Sequence, residues 1–357
     1  MKDPLLRGVQ WYWPGSSPLP NARWVVGGAQ ILSESASLVR ALAEGARGPL
    51  GLIYLDGGPK EAPAWPWISF PRGRASRVMG RLRPADLVCL DDTQDARALA
   101  GAASCPVVWV NGRSSELLAL GQVVVASRIL AQEVGGGLLL GDPCVEWPLP
   151  PPPVEPSFCE RFQAVRGAGR WIVYCVDTAS GEETLAYNTF LALSARGGGL
   201  LALAPRDESR FEPIYRESIK YHLLTVRQRR LITSEVPPKT RVYYIEDTSA
   251  REAMASCADL LILGGTFTPD SPIRASSLWA GVPVLVGPHG TDPLVRSAVR
   301  AGVVTLCEDA KDLVVQAARL LDDPKQRDQA AEDLRAWLTL QGAARSRFLE
   351  FMASGSS

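Results

Sequence analysis

The chain has 357 residues, more than one ordinary hydrophobic core accommodates, so two domains are expected. Hydrophobic residues make up 46% and charged residues 21%, the balance of a soluble globular protein. Lysine plus arginine number 38, as do aspartate plus glutamate, and this neutral balance argues against a general nucleic-acid-binding protein.

Cysteine and histidine usage gives no support to a metal site. The seven cysteines form no Cys-x-x-Cys pair and there are two histidines, so no metal is expected. Cysteines scattered within apolar runs are typical of reduced core residues in a cytosolic protein. No segment reaches about eighteen uninterrupted apolar residues, so neither a signal peptide nor a membrane span is predicted.

Short apolar strands alternate with helical segments in the first half of the chain. Residues 23–28 predict a strand, and 33–46 predict a helix that has Leu38 and Leu42 on one face behind a serine cap. Further strands are predicted at 50–58, 85–92 and 105–112, followed by QVVVAS and GGLLLGD. This alternation predicts βαβ units and a parallel sheet.

A proline-rich stretch, EWPLPPPPVEPSF, occupies residues 146–158. Four consecutive prolines do not fit inside a helix or a sheet, and they favour an extended spacer. We therefore predict a domain boundary here, although a surface loop within one domain is the alternative. The predicted division is 1–150, a linker at 151–160, a second domain at 161–335 and a C-terminal helix at 336–357.

The second half repeats the alternation of strands and helices. Strands are predicted at 170–177, 199–205, 241–247, 258–265, VPVLVGPH and 303–309, with helices between them. The fold class is therefore α/β, with two doubly wound domains of parallel strands.

The first candidate ligand site is the strand-to-helix turn TASGEE, residues 178–183. Ser180 can cap the helix, Glu183 completes a capping box, and Gly181 leaves the N–H groups of the first turn accessible. Such a helix start favours an anion. Because Glu182 and Glu183 already complement the helix dipole, a purely structural cap remains open.

Other candidates follow the ends of later strands. The run 260–263 ends on Gly264-Gly265-Thr266, where the backbone can approach a ligand closely. Arg206, after Pro205, could pair with a phosphate or a carboxylate, or form a surface salt bridge. His289 could donate to a ligand, act as an acid or base, or be structural.

An arginine-rich segment lies between the second and third predicted strands. Its arginines have Phe70 and Met79 interleaved, which fits a patch for anionic lipid head groups, and a solvated helix face fits equally. The arginines are Arg72, Arg74, Arg77, Arg81 and Arg83. No Ser-His-Asp arrangement, P-loop or GxGxxG fingerprint occurs in the sequence.

Several of these segments, in this order, resemble the 3-deoxy-D-manno-octulosonic acid (Kdo) transferase family, which has the GT-B fold of two Rossmann-like domains facing across a cleft. PVVWVNGRSSE, which contains Arg113, resembles that family's PVV-x-VN-x-R-x-SE segment. TASGEE resembles STH-x-GEE, and LALAPRDESRF resembles PRH-x-ERF. EDTSAREAMASCADLLILGG resembles a DT-x-GEL…YAAAD…GG segment, and AGVPVLVGPH resembles G-x-PVL-x-GPH.

The resemblance implies transfer of a Kdo-type sugar from CMP-Kdo, the donor substrate, to a lipid A precursor or other anionic lipid, with no cofactor or metal. It implies a cytoplasmic protein, peripheral on the inner face of the bacterial inner membrane, with no nucleic acid as partner. The second domain would bind the nucleotide sugar, and the C-terminal helix would pack back on the first domain. The implied nucleotide-sugar residues are Ser180, Gly181, Glu182, Pro205, Arg206, Gly264, Gly265, Thr266, Ser276 and His289. The first domain would hold the acceptor, with Arg72, Arg74, Arg77, Arg81 and Arg113 on the acceptor or membrane side.

The sequence departs from the family at functional positions. The family's catalytic Gly-Glu falls on Gln30-Ile31, and Glu34, one helical turn of about 5 Å further, is the implied replacement base. A family asparagine and a family glutamate fall on Ile273 and Ser276. Three hypotheses follow: a working Kdo-type glycosyltransferase, a degenerate homologue that acts as a binding or scaffold protein, or another GT-B enzyme such as a sugar-nucleotide epimerase.

Overall fold

The chain forms two compact units, each built on its own sheet. A computed structural model describes residues 11–12, 19, 21–45, 48–59, 61, 63–146, 157–195, 198–231 and 234–354. The first unit contains residues 1–147 and 339–357, and the second contains residues 148–338. Both units have parallel strands with helices between them, so the predicted α/β class with two doubly wound units is confirmed.

The first sheet has eight strands in the order β1-β4-β3-β2-β5-β6-β7-β8. All neighbours are parallel except β1, which pairs antiparallel with β4. The strands are β1 (Trp11–Tyr12), β2 (Arg23–Gly27), β3 (Leu50–Tyr54), β4 (Trp67–Ser69), β5 (Asp86–Cys89), β6 (Val107–Val110), β7 (Gln122–Val125) and β8 (Leu138–Leu139).

Helices cover both faces of this first sheet, which is why its strands are continuous apolar runs. The helices are α1 (Ala29–Glu34), α2 (Ala36–Gly45), α3 (Ala75–Leu82), α4 (Gln94–Ala102) and α5 (Arg128–Val134). Trp24 and Val26 of β2 belong to the apolar cluster that includes α3, α4 and α5. Val25, between them, belongs to the opposite cluster, with α1 and α2.

The second sheet has seven parallel strands in the order β11-β12-β10-β9-β13-β14-β15. The strands are β9 (Trp171–Thr178), β10 (Gly199–Pro205), β11 (Thr225–Arg227), β12 (Val242–Tyr244), β13 (Leu260–Leu263), β14 (Val284–Val286) and β15 (Thr305–Leu306). The helices of the second half are α6 (Ser157–Glu160), α7 (Gln163–Gly167), α8 (Glu182–Ser194), α9 (Phe211–Lys220), α10 (Thr248–Cys257), α11 (Pro293–Arg300), α12 (Ala310–Asp322), α13 (Pro324–Gln341) and α14 (Ala344–Ser354).

The two sheets share one packing feature, a tryptophan paired with a glycine on the adjacent parallel strand. Trp24 of β2 pairs with Gly51 of β3, and Trp171 of β9 pairs with Gly199 of β10. A Cβ atom at Gly51 would lie 2.5 Å from the Trp24 ring, and one at Gly199 would lie 2.1 Å from the Trp171 ring. Only glycine leaves room for the indole in each pair.

Two of the predicted domain boundaries fall within helices of the structure. Residues 147–156, which include the four prolines, lie outside the described residues, and Ser157–Glu160 of the predicted linker form α6 instead. The predicted boundary at 335/336 falls inside α13. Helix α14 places Phe348 and Met352 in the apolar cluster that contains Leu38 and Leu42 of α2.

The cysteines only partly follow the prediction of reduced core residues. Cys159 of α6 and Cys257 of α10 form a disulfide with Cα atoms 5.2 Å apart, so the prediction is wrong for this pair. The free cysteines Cys89, Cys144, Cys175 and Cys307 are buried, and Cys105 is half-buried. Spacing in sequence gave no signal for the disulfide, because 98 positions separate the pair.

Candidate functional site

The second unit brings its candidate residues together at the carboxyl ends of the central strands. Within the sheet, β10 is the neighbour of β9 on one side, and β13 is its neighbour on the other side. The strand order therefore reverses at β9. Open α/β sheets bind ligands where the strand order reverses in this way. The backbone amides of Arg206 and Gly264 donate to carbonyl oxygens near the end of β9, and the amide of His289 donates to the loop after β13. These hydrogen bonds hold the strand ends next to one another.

Three arginines surround one buried aspartate at this switch point. Asp177, near the end of β9, is fully buried and has a φ of 50°. Its carboxylate lies 2.7 Å from Arg251 Nη1 and 2.9 Å from Arg274 Nε. Its carbonyl oxygen accepts a hydrogen bond from Arg206 Nη2 at 3.1 Å. Two guanidinium groups at the carboxylate and a third at the carbonyl of the same residue leave a local excess of positive charge, which favours an anionic ligand.

These arginines differ in accessibility. The Arg251 side chain is 5% exposed and also donates to the carbonyl of Pro205, so it is part of the interior. The Arg274 side chain is 40% exposed, and Arg206 is half-buried with Nη1 on Ser271 Oγ. Arg206 and Arg274 are therefore the two cations that a ligand can reach.

The glycine loop after β13 lies directly against Arg206. A Cβ atom at Gly265 would lie 2.7 Å from Arg206 Nη2 and 2.4 Å from the carbonyl oxygen of Pro272. Gly265 has a φ of 76°, which glycine adopts without strain. The backbone at Gly265 thus lies close to a side chain of the protein itself, Arg206, and the predicted approach to a ligand stays a prediction.

Glu182 holds this glycine loop in place. Its Oε2 accepts from Gly265 N at 2.6 Å and from Ala179 N at 2.8 Å, and its Oε1 accepts from Phe267 N at 2.9 Å. The side chain is buried. Because both carboxylate oxygens already accept backbone amides, Glu182 is placed to position the loop.

Thr266 and His289 link the loops after β13 and β14. The Thr266 hydroxyl donates to Leu263 O at 2.6 Å and accepts from Gly287 N at 2.8 Å, and the residue is fully buried. Its hydroxyl is therefore engaged within the protein. His289 is half-buried on this turn, and its backbone amide donates to Thr266 O.

The predicted capping box at the start of α8 is wrong. The N-cap of this helix is Gly181, with a φ of 98° and no side-chain cap, and Ser180 lies outside the helix and is exposed. Glu183 instead accepts from Gly181 N at 3.0 Å and pairs with Arg210 at 3.2 Å. Glu182, the other acidic residue of this first turn, accepts from the Ala179 amide.

The remaining predicted residue, Ser276, is half-buried in the turn Ala275–Ala280, two positions beyond Arg274.

Sequence reasoning missed three members of this site: Asp177, Arg251 and Arg274. A charge at the end of the apolar strand WIVYCVD was the available signal for Asp177. The two arginines gave no signal, because nothing in their spacing shows that they face one carboxylate.

The first unit has acidic groups at its own switch point, between β2 and β5. Asp56, after β3, accepts from Ala29 N at 2.8 Å. A Cβ atom at Gly28 would lie 3.0 Å from Asp56 Oδ2 and 3.6 Å from Asp91 Oδ2, so both carboxylates flank the start of α1. Burial raises the pKa of Asp91, the hydrogen bond from the Gly28 amide opposes that rise, and the charge of Asp92 adds to it.

The predicted base Glu34 lines a pocket of about 660 Å³ in the first unit. Glu34 is the last residue of α1 and is half-buried. Gln30, where the resemblance aligns the family's catalytic segment, lines the same pocket. Sequence reasoning identified Glu34 but missed Asp56 and Asp91.

The arginine-rich segment forms the exposed face of α3 and its flanks. Arg74, Arg77 and Arg81 are exposed, as is Arg72, which pairs with Asp95 at 3.2 Å. Arg83, the last arginine of the segment, is also exposed, and so is Arg113, which the resemblance assigns to the acceptor or membrane side. The interleaved Phe70 and Met79 are buried, so they take no part in this exposed face, and the lipid patch and the solvated helix face both stay predictions.

The described part of the chain contains neither a metal-ligand cluster nor a membrane-spanning helix. Its histidine, cysteine, aspartate and glutamate side chains include no group of three that could hold a metal ion. None of its helices is long and apolar enough to cross a bilayer.

Comparison with known proteins supports the resemblance seen in the motifs. The chain is 28% identical to the 3-deoxy-D-manno-octulosonic acid transferase of Bordetella pertussis over 191 residues, which are 51% of this chain and 44% of that protein. The chain thus matches less than half of that relative's length. No family model matches the chain.

Two solved structures align with the chain at low identity. The C-terminal CMP-Kdo binding domain of WaaA from Acinetobacter baumannii aligns with 18% identity and a TM-score of 0.46, over 52% of this chain and 99% of that domain. Alr3699/HepE from Anabaena, in complex with UDP and glucose, aligns with 13% identity and a TM-score of 0.39, over 93% of this chain and 99% of that one. The predicted resemblance to a Kdo transferase is confirmed by the sequence match.

Proposed function

We propose that the chain is a glycosyltransferase that moves a Kdo-type sugar from CMP-Kdo to a lipid A precursor or other anionic lipid acceptor, in lipopolysaccharide biosynthesis. The observation that carries this proposal is the arginine cluster around Asp177 at the switch point of the second unit. A CMP-activated keto-acid sugar has two anionic groups, a phosphodiester and a carboxylate. Arg206 and Arg274 offer two reachable guanidinium groups for them.

The chemistry assigned to this cluster is stabilisation of the leaving group. During transfer the bond between the anomeric carbon and the phosphate oxygen breaks, and the acceptor oxygen forms a new bond to that carbon. CMP departs with the additional negative charge, which a preorganised guanidinium offsets. In this proposal the arginines take the role that a metal ion has in other transferases.

The acceptor hydroxyl must lose its proton during the transfer, and the first unit offers two carboxylates as base. Glu34 lines the pocket and is the base that the resemblance implies. Asp91 has a raised pKa at the switch point, and a carboxylate whose pKa moves towards neutrality is a stronger base. We assign the acceptor to this unit and the base to one of these two residues.

The exposed arginines of α3 support a peripheral position on an anionic lipid surface. Each cation near such a surface contributes about 1 kcal/mol to the free energy of membrane binding, and this contribution decreases as the salt concentration rises. Because Phe70 and Met79 are buried, the attraction would be electrostatic.

Calorimetric titration with CMP, CMP-Kdo and UDP-glucose tests the donor. We expect CMP-Kdo to bind more tightly than CMP, because its carboxylate engages a second guanidinium, and both to bind more tightly than UDP-glucose. Arg206→Ala should weaken CMP-Kdo binding by at least about tenfold. Arg216→Ala, on the exposed face of α9, is the matched control and should have no effect.

A transfer assay on a lipid A precursor then tests turnover, with Glu34→Gln and Asp91→Asn identifying the base. Binding of CMP-Kdo without transfer by the unmodified protein would support a degenerate homologue that acts as a binding or scaffold protein. Tighter binding of UDP-glucose than of CMP-Kdo would refute the proposed donor and support another GT-B enzyme, such as an epimerase.

A further inference from the structure

Asp177 and Arg251 form an ion pair that lies out of reach of a ligand. Asp177 is fully buried, and the Arg251 side chain is 5% exposed. Arg251 Nη1 donates to Asp177 Oδ1 at 2.7 Å, and Nη2 donates to the carbonyl oxygen of Pro205 at 2.9 Å. A buried ion pair contributes little net stability compared with apolar side chains of similar size, so stability alone does not account for this pair.

The backbone at Asp177 is fixed by the two strands beside it. Ala204 pairs with Val176 and Pro205 pairs with Thr178, so Asp177 is the extra residue of a bulge in β9, with a φ of 50°. Bulges of this kind re-aim a side chain and are common next to functional sites. On the other neighbouring strand, a Cβ atom at Gly264 would lie 2.4 Å from the Asp177 carbonyl oxygen, so only glycine leaves room for that carbonyl.

From this position Asp177 contacts both of the cations that a ligand can reach. Its carbonyl accepts from Arg206 Nη2 at 3.1 Å, and its Oδ2 lies 2.9 Å from Arg274 Nε. The contact with Arg274 is an ion pair, since Oδ2 accepts no aligned hydrogen bond from the residues that the structure describes. Because Arg251 compensates the carboxylate, Asp177 can hold Arg274 in place while both reachable guanidinium groups still attract an anion.

We infer that the buried Asp177–Arg251 pair positions Arg206 and Arg274 for the donor without touching it. The inference rests on the proposed function and deepens it. Arg206 and Arg274 contact the anionic groups of the donor, and the pair fixes where these two guanidinium groups lie before the donor arrives. Such preorganisation strengthens binding, because a long side chain that is already ordered loses less conformational freedom when the ligand binds.

Removing both members of the pair separates positioning from charge. The double substitution Asp177→Asn/Arg251→Met deletes one negative and one positive charge, so the net charge of the cluster does not change. We expect the affinity for CMP-Kdo, measured by calorimetry, to fall by about tenfold or more, the effect of losing one hydrogen bond to a charged group. In an Arg274→Ala background the same double substitution should weaken binding by less than about threefold, because the cation through which the pair acts is already absent.

Phenylglyoxal modification reports the state of Arg274 in the protein without donor. Mass spectrometry of the peptides gives the modification rate of each guanidinium. The rate at Arg274 should rise several-fold when the pair is removed, since the Asp177 carboxylate no longer contacts Nε. Arg216, which is exposed on α9, should react at the same rate in both proteins. Urea unfolding of the same samples shows whether the double variant is folded, and Asp177→Asn alone, which keeps Arg251, should raise the same rate at Arg274.

The matched control is another ion pair at the opposite end of the same sheet. Arg166 Nη1 lies 3.1 Å from Asp259 Oδ1 just before β13, and Arg166→Met/Asp259→Asn should change neither the affinity for CMP-Kdo nor the reactivity of Arg274. Three results would overturn the inference: an unchanged affinity after removal of the Asp177–Arg251 pair, an equal loss of affinity in the Arg274→Ala background, or an unchanged modification rate at Arg274.

The two readouts separate this inference from the proposed function. If CMP-Kdo does not bind the unmodified protein but Arg274 becomes more reactive as expected, the proposed donor fails and the positioning role of the pair stands. If CMP-Kdo binds and neither its affinity nor the reactivity of Arg274 depends on the pair, the positioning role fails and the donor assignment stands.

Discussion

Replacing Glu182 with alanine removes the carboxylate that accepts the amides of Ala179, Gly265 and Phe267 at 2.6 to 2.9 Å. A hydrogen bond to an ionised group contributes about 1.5–3 kcal/mol, and an orphaned buried amide adds a desolvation cost. The three bonds share one carboxylate, so their contributions do not add fully. We expect Glu182→Ala to lower the free energy of unfolding of the second unit by about 3–5 kcal/mol.

Glu182→Gln should lower the free energy of unfolding by less, about 2 kcal/mol, because its remaining carbonyl oxygen can still accept hydrogen bonds from one or two of the amides. Urea unfolding followed by tryptophan fluorescence and near-ultraviolet circular dichroism measures the loss. Amide hydrogen exchange on the segment 260–270 measures the local effect, and protection of Gly265 and Phe267 should fall sharply.

The matched control is Glu208→Ala, since Glu208 is exposed on a neighbouring turn and should change stability by no more than about 0.5 kcal/mol. The reasoning would be refuted if Glu182→Ala cost less than about 1 kcal/mol and left exchange unchanged. A variant with those properties that also lost CMP-Kdo binding would make Glu182 a direct ligand of the donor.

Three further predictions concern the donor cations, pH and the disulfide. Arg274→Ala should weaken CMP-Kdo binding by at least about tenfold by calorimetry while the unfolding free energy changes by less than about 1 kcal/mol, because the side chain is 40% exposed. Asp91→Asn should raise the unfolding free energy at pH 7 by a few tenths of a kcal/mol, since the folded-state pKa of Asp91 is raised and solvent screens the half-buried group. That gain should disappear as the pH falls below the ordinary aspartate pKa of 3.8, and a gain that persisted at low pH would contradict the assignment. Cys159→Ser should lower the unfolding free energy by about 2–4 kcal/mol, an effect that a reductant reproduces in the unmodified protein but not in the variant, because the bond to Cys257 closes a loop of 98 positions.

The apolar strands were predictable because their sequence pattern reports the environment of both faces. In β13 all four residues are buried, as the uninterrupted run 260–263 indicates. The site was less predictable, because its geometry depends on long-range pairs. Arg206 was predicted from its place after a strand, while Arg274 required knowledge that its loop returns to Asp177, 97 positions earlier (274 − 177).

The start of α8 shows why a local sequence rule failed. The Ser-x-x-Glu spacing satisfies the pattern of a capping box, and nothing local argues against it. The Glu183 carboxylate instead accepts from Gly181 N and pairs with Arg210, 27 positions further along the chain. The helix therefore begins after Gly181 and not after Ser180.

The division of the chain also bears on how the protein is made. Residues 339–357 belong to the first unit, and Phe348 and Met352 fill its apolar cluster. A ribosome completes residues 1–147 and then needs roughly ten to forty seconds to synthesise 148–338 before that final segment emerges. During this interval the nascent first unit exposes the apolar surface that α14 later covers. We therefore expect the first unit to need chaperones during translation, because its last segment is synthesised after the second unit.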